Sequence, residues 1–137
     1  MKNKIPNIHF FGSDAKFAHV GLVVESHDEL LSYEQTTDVI QDVQVGFVNL
    51  NGVEIEFIKP ISYNSPVFNN LLENRRLVHL AFYVDSIENA LEKCKEYGFR
   101  KITQPQKAAA YSGNRIVFVA HKKYGIFELI EVNGLKF

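Results

Sequence analysis

Only one cysteine, Cys94, stands in 137 residues, and a lone thiol excludes an internal disulfide and any cysteine-based zinc cluster. Whatever metal such a chain binds must be held by imidazole and carboxylate. Charge of one sign is lacking as well: 15 Lys and Arg face 16 Asp and Glu, for a formal net charge of −1. Acids and bases are interspersed, so no basic stripe exists to track a phosphate backbone, and nucleic acid is not expected as a partner. Residues Met1 to Phe10 carry lysines but no signal-type apolar core, and nowhere does an apolar run approach the roughly 18 residues of a membrane span. A soluble, cytoplasmic protein with no membrane association is expected. What the chain does have is hydrophobic content, 46%, enough for one domain over residues 1–137 to bury a core.

The strongest pattern is a duplication. Phe17-Ala18-His19-Val20-Gly21-Leu22-Val23-Val24-Glu25-Ser26 matches Leu77-Val78-His79-Leu80-Ala81-Phe82-Tyr83-Val84-Asp85-Ser86, with histidine third in each. Ile55-Glu56-Phe57-Ile58 matches Phe127-Glu128-Leu129-Ile130 in the same way.

Between these anchors the first unit reads as a strand from Ala18 to Val24, then a capping box at Ser26-His27-Asp28-Glu29 opening a short helix through about Tyr33. A further strand is expected near Thr37 to Gln41. Val43 to Leu50 and Val53 to Ile58 flank Asn51-Gly52, whose tolerance of positive φ makes a tight hairpin. Ser65-Pro66 reads as an N-cap with proline at the first helical position of a linker helix, Val67 to Glu73, within about 65–74. The second unit repeats the plan with a strand from Val78 to Val84 and a helix N-capped by Asp85 and closed by Gly98, its apolar face carrying Ile87, Ala90, Leu91 and Cys94. Cys94 is therefore core packing. Thr103 to Gly113 is irregular, of the length that covers sites, and a hairpin of Arg115–Ala120 and Ile126–Val132 follows.

Alternate side chains of a strand share a face. His19 points with Gly21 and Val23, away from Ala18, Val20, Leu22 and Val24, which are read as the core face. His79, Glu56 and Glu128 likewise leave the more apolar side of their strands. Two curved sheets built from duplicated units would bring one histidine and one glutamate from each to a common cleft. Two imidazoles and two carboxylates suit one divalent ion such as zinc, nickel, cobalt, manganese or iron, with positions left for substrate oxygens. Glu54 and Glu131 are competing ligands, without counterparts in the other unit. His9, His27 and His121 are read as solvated surface residues.

These residues resemble the vicinal oxygen chelate superfamily, the glyoxalase, bleomycin-resistance and extradiol-dioxygenase group, over about Phe17 to Val132. Within it the chain is most similar to the methylmalonyl-CoA epimerases, through Phe47-Val48-Asn49-Leu50, Ile55-Glu56-Phe57-Ile58-Lys59-Pro60, Asn64-Ser65-Pro66, Val78-His79-Leu80-Ala81, Val84-Asp85-Ser86-Ile87 and Phe127-Glu128-Leu129-Ile130-Glu131. The resemblance implies an α+β fold of two tandem βαβββ modules (about 15–60 and 76–133, the first shortened) curved around a metal-binding cleft. It implies His19, Glu56, His79 and Glu128 as metal ligands, and a homodimer. The second acid of the epimerases has no glutamate counterpart here; Asp42 or Asp38 takes its place.

The chemistry implied is metal-assisted proton abstraction next to a carbonyl, in an acyl-CoA thioester or a related small molecule, with Glu128 as base and Asp42 or Asp38 as its partner. A glyoxalase I-type lyase acting on a hemithioacetal would use the same quartet, and glutamate at 56 favours it. A non-catalytic drug-binding relative of the same fold is the reading from a different class.

Overall fold

The computed structural model describes residues 3–133, the side chain of Glu29 excepted. Among them nine strands form one mixed sheet: β1 (Lys16–Val23), β2 (Gln35–Asp38), β3 (Val43–Leu50), β4 (Val53–Pro60), β5 (Leu77–Val84), β6 (Arg100–Lys101), β7 (Gln106–Lys107), β8 (Arg115–His121) and β9 (Gly125–Glu131). Their order is β2-β3-β4-β1-β5-β9-β8-β6, with β7 also on β8, and the sheet curls into a half-barrel. The duplication is visible in the pairing. β1 runs parallel to β4 and β5 parallel to β9, while β1 and β5 meet antiparallel at the centre. A pseudo-twofold therefore passes between β1 and β5, relating one half of the sheet to the other.

The expected β3–β4 hairpin forms as read, with Asn51 at φ 51° and Gly52 at φ 94°, the left-handed pair that a two-residue turn requires. The helices are few. α1 spans Phe68–Leu72 and α2 spans Ile87–Lys95, and no helix of the described residues is long and apolar enough to cross a membrane. α2 lies on the outer face, where Ile87, Ala90 and Cys94 pack with Val84, Val117, Val119 and Leu129. Burial pushes the Cys94 thiol up to about 11, as expected of a core cysteine.

Several local expectations need correction. The first unit's helix is a single 3-10 turn, Glu29–Leu31, opened by Asp28, whose carboxylate accepts from Leu30 N at 2.8 Å. The Glu29 half of the expected capping box lies outside the description. Leu30 and Leu31 are 92% and 52% exposed, so this segment has no surface to bury and no packing energy to extend it. Strand β2 ends at Asp38 instead of running to Gln41, because Asp38 Oδ1 accepts from Gln41 N at 3.0 Å and turns the chain. α2 is capped by Ser86, not Asp85: Ser86 Oγ accepts from Asn89 N at 3.2 Å, and Glu131 accepts from Ile87 N at 2.9 Å. α1 starts later than expected, with Val67 at its N-cap. The Ser65 carbonyl accepts from Phe68 N, while its buried hydroxyl has no hydrogen-bond partner among the described residues.

On β1 the buried face is largely the reverse of the expectation: His19, Gly21 and Val23 are buried along with Ala18, whereas Val20 and Leu22 are half-buried. On β5 both faces are covered: His79 and Ala81 are buried on one, and on the expected core face Val84 is buried and Phe82 packs in the same cluster as the α2 residues. α2 covers the outer face of the second half alone. With the first unit's helix reduced to one turn, no comparable helix among the described residues covers Val20 and Leu22.

Candidate metal centre

His19 and His79 sit on the two central strands, Glu56 on β4 and Glu128 on β9. Register sets them in two rows across the sheet. Glu56 stands beside Gly21, which stands beside His79; His19 stands beside Ala81, which stands beside Glu128. Each row thus places a small residue between two ligand-type side chains. At Gly21 the small residue is obligatory, since a Cβ built there would lie 2.7 Å from both Cε1 and Nε2 of His79.

A second device aims the histidines. The β1–β5 pairing skips Ala18 on one strand and Val78 on the other, so a bulge immediately precedes each histidine. Such bulges bend a strand and redirect the neighbouring side chain, and here the pseudo-twofold repeats the effect.

The four side chains come together. One atom from each lies within 4.8 Å of all the others, and all four residues are buried. His19 Nε2 is 3.2 Å from Glu56 Oε1, 3.2 Å from Glu128 Oε1 and 3.3 Å from His79 Nε2. His79 Nε2 is 3.4 Å from Glu56 Oε1 and 3.2 Å from Glu128 Oε1. Metal bonds of about 2.1 Å to nitrogen and oxygen give ligand–ligand edges of about 3.0 Å at right angles and 3.4 Å at tetrahedral angles, the range these distances occupy. Glu128 Oε1 is fully buried and makes no properly directed hydrogen bond. Its neighbours are close, but the atoms converge on a shared centre instead of on one another. The donor set therefore fits a divalent cation.

Without an ion the quartet holds itself by charge. Burial, the largest influence, pushes the His19 imidazole down, but Glu128 and Glu56 outweigh it and bring the group from 6.5 up to about 9. His79, opposed by burial in the same way, is raised by the same carboxylates to about 10. Burial pushes Glu128 up, and the two imidazoles more than reverse this, to about 2.

Tyr111, unremarked in the sequence, reaches the quartet from the 3-10 turn Ala109–Tyr111 within the segment expected to be irregular. Its ring stacks on His19 at 6.1 Å and 7°, with its hydroxyl 3.3 Å from Nδ1. Burial raises the phenol well above its usual range, and Glu128 and Glu56 add to this.

A cavity of ≈ 200 Å³ opens beside the quartet, reaching Glu56, His79, Glu128 and Tyr111. Asp38 lines it, buried, its carboxylate accepting from Gln41 N, Gln41 Nε2 and Ala109 N. Asp42 is not among the lining residues. It occupies the turn before β3 at φ 58° and accepts from Ser62 Oγ at 2.5 Å. Glu54 is paired in register with Asn49 near the hairpin end, and Glu131 binds Arg115 and the start of α2. Neither joins the quartet.

His27 and His121, expected as solvated, are bonded on both ring nitrogens. His27 Nε2 donates to the Gln44 carbonyl at 2.9 Å, which leaves Nδ1 to accept from the Tyr33 hydroxyl at 2.7 Å. His121 Nε2 donates to the Tyr97 carbonyl and Nδ1 accepts from Lys123 N.

Comparison with solved structures finds the same fold at low identity. A hypothetical protein of Bacillus halodurans C-125 is 23% identical with a TM-score of 0.73, covering 90% of this chain and 98% of its own. The methylmalonyl-CoA epimerase of Mycobacterium tuberculosis is 19% identical with a TM-score of 0.65, covering 84% and 86%. A variant of the Streptomyces coelicolor methylmalonyl-CoA epimerase, in complex with 2-nitronate-propionyl-CoA, is 18% identical with a TM-score of 0.71, covering 89% and 97%. No curated protein matches the chain in sequence. Residues 18–118 match the family model of this fold, and the chain belongs to the Glyoxalase/Bleomycin resistance protein/Dioxygenase superfamily.

Proposed function

We propose that the protein is a metal-dependent isomerase of the epimerase type, removing and returning a proton next to a carbonyl of a thioester or related small molecule. The observation that carries this reading is the convergence of four buried ligand-type side chains on one point at the wall of a cavity. His19, Glu56, His79 and Glu128 would hold the ion. A divalent ion bound there supplies Lewis acidity, worth several kcal/mol to the negative charge that develops on a carbonyl oxygen as the neighbouring proton leaves.

The chain's own residues do the rest. Glu128, buried at the cavity wall, is the base, and its held-down acidity keeps it ionised at neutral pH. We assign the second acid to Asp38 in preference to Asp42, a choice supported by its buried position on the same cavity. Val45, Ile58 and Phe118 line the cavity with apolar surface, which would shield the reacting carbon from water. With substrate bound, Glu128 would take the proton from one side of the carbon, and Asp38, having first gained a proton from solvent, would return one from the other side and so invert the centre.

The test is deuterium uptake from D₂O at the α-carbon of methylmalonyl-CoA and of 2-methylbutyryl-CoA. Exchange should require added divalent metal and vanish in His79→Ala. Absence of exchange with both thioesters in metal-loaded wild type refutes the epimerase reading. A glyoxalase I-type lyase is the second reading, favoured by the carboxylate of Glu56 in the quartet, and turnover of a glutathione hemithioacetal would distinguish it. A drug-binding protein without catalysis would bind its ligand and carry out neither reaction.

A further inference from the structure

The cavity's wall has a chemistry of its own. Val43, Val45 and Ile58 form one side, in a buried cluster of the first half, and Val78, Phe118 and Ile126 belong to the other. At its margin Ile40 and Ile102 are 64% and 42% exposed, so the apolar surface continues outward to solvent. Among the described lining residues there is no lysine and no arginine. Three carboxylates do line it, those of Asp38, Glu56 and Glu128, together with the His79 imidazole, which lies 3.4 and 3.2 Å from Glu56 and Glu128.

Charge bookkeeping at the wall then points one way. The two positive charges of a divalent ion are matched by Glu56 and Glu128, and Asp38 is left over. Without an ion, His19 and His79 match the charges of those two carboxylates, and Asp38 is again left over. Its oxygens accept three N–H bonds, none of them from a charged group. An anionic group entering this cavity meets an excess negative charge in an apolar, partly dehydrated space, where repulsion is poorly screened. A neutral group meets amide and hydroxyl donors from Gln41, Asn70, Gln106, Thr103 and Tyr111. Size narrows the choice further. An apolar cavity of about 150 Å³ accepts benzene, and this one measures ≈ 200 Å³.

We propose that the cavity selects an uncharged substrate whose apolar body is about the size of one aromatic ring or a branched alkyl group, and that it rejects acyl groups bearing a free carboxylate. This rests on the metal-dependent reading for the charge of the ion alone; the wall's composition stands without it. Within the thioester class it favours monoacyl over dicarboxylic acyl substrates. A thioester's cofactor portion is too large for the cavity and would lie outside it.

Benzamide and benzoate test this, being nearly identical in shape and different in charge. Each is titrated into isotope-labelled full-length protein, zinc-loaded and metal-free, with the amide shifts of Val45 and Phe118 as reporters. Benzamide is expected to bind at least about tenfold more tightly than benzoate, given carboxylates within several ångströms at an effective dielectric of about 20. Ile40→Arg, at an exposed position on the cavity's margin, is expected to narrow that gap by raising the affinity of benzoate. Benzoate binding as tightly as benzamide to wild type in either form overturns the proposal, as does an Ile40→Arg variant that leaves the ratio unchanged. Because the metal-free protein is tested alongside, the preference can fail while metal-dependent exchange succeeds, and the reverse.

Discussion

Replacing Gly21 by alanine should disable the metal centre without disturbing the sheet around it. The added Cβ would sit 2.7 Å from Cε1 and Nε2 of His79 and 3.0 Å from Nδ1. Carbon atoms in contact prefer about 3.5–4.0 Å, so the imidazole must retreat by roughly 1 Å. Metal–ligand distances tolerate only about 0.2 Å. The ring has little room to yield sideways, since it is buried between His19 and Phe118, with centroids 5.5 Å from each. His79 is thereby lost as a ligand. Removing even a supporting hydrogen bond from a metal ligand weakens binding by about 10- to 100-fold, so Gly21→Ala is expected to weaken it by at least about 100-fold, or about 2.7 kcal/mol. The assay is competition for zinc against a chromogenic chelator, with the melting temperature of the metal-free protein recorded in parallel. Alanine suits an extended strand better than glycine, which offsets part of the cost of displacing the buried His79 ring, so the metal-free protein should stay folded with a lowered melting temperature. An affinity within about threefold of wild type would refute the account of the small residue between the ligands.

Other outcomes follow from the same geometry. The metal-free protein should lose stability at alkaline pH: His19 and His79 are raised, so their contribution is complete below 6.5 and disappears as pH passes about 9 to 10. Glu128 is lowered, so its contribution is complete above 4.5 and disappears as pH falls toward about 2; denaturant midpoints across pH read both limits. Metal binding near pH 7.5 should expel the protons of both imidazoles, measurable by calorimetry in buffers of different ionisation enthalpy. Cys94, 1% exposed and held in thiol form, should resist alkylation until the protein unfolds, so native-state labelling at the global unfolding rate or slower is expected. Arg115→Ala removes contacts to Glu131 and Glu88. Because the guanidinium is exposed to solvent, only a small drop in the denaturation midpoint is expected.

The sheet was readable where local chemistry and tertiary packing ask for the same thing. Asn51-Gly52 needs two positive φ angles and takes them, so β3 and β4 could be bounded from the residues alone. The quartet was legible for a different reason: duplication places equivalent residues at equivalent positions, whatever the details between. The helix expected after Ser26 failed because its signal was purely local, and no surface exists to bury Leu30 and Leu31. Alternation identified the two faces of β1 correctly but not which one is covered, since that depends on a helix supplied only in the second half. The bulges at Ala18 and Val78 arise from the pairing of two distant strands. Tyr111 gave no signal because a tyrosine in a polar loop is unremarkable until the loop folds over His19.

The antiparallel junction of β1 and β5 makes each half of the chain contribute one imidazole and one carboxylate. Neither half owns a complete chelate. Any ion gripped by all four acts as a rivet through the seam, and its binding energy becomes cohesion between the repeats. Loosening the junction anywhere along its length would then be felt as leakage of the ion, and a chelator would in turn unfasten the joint.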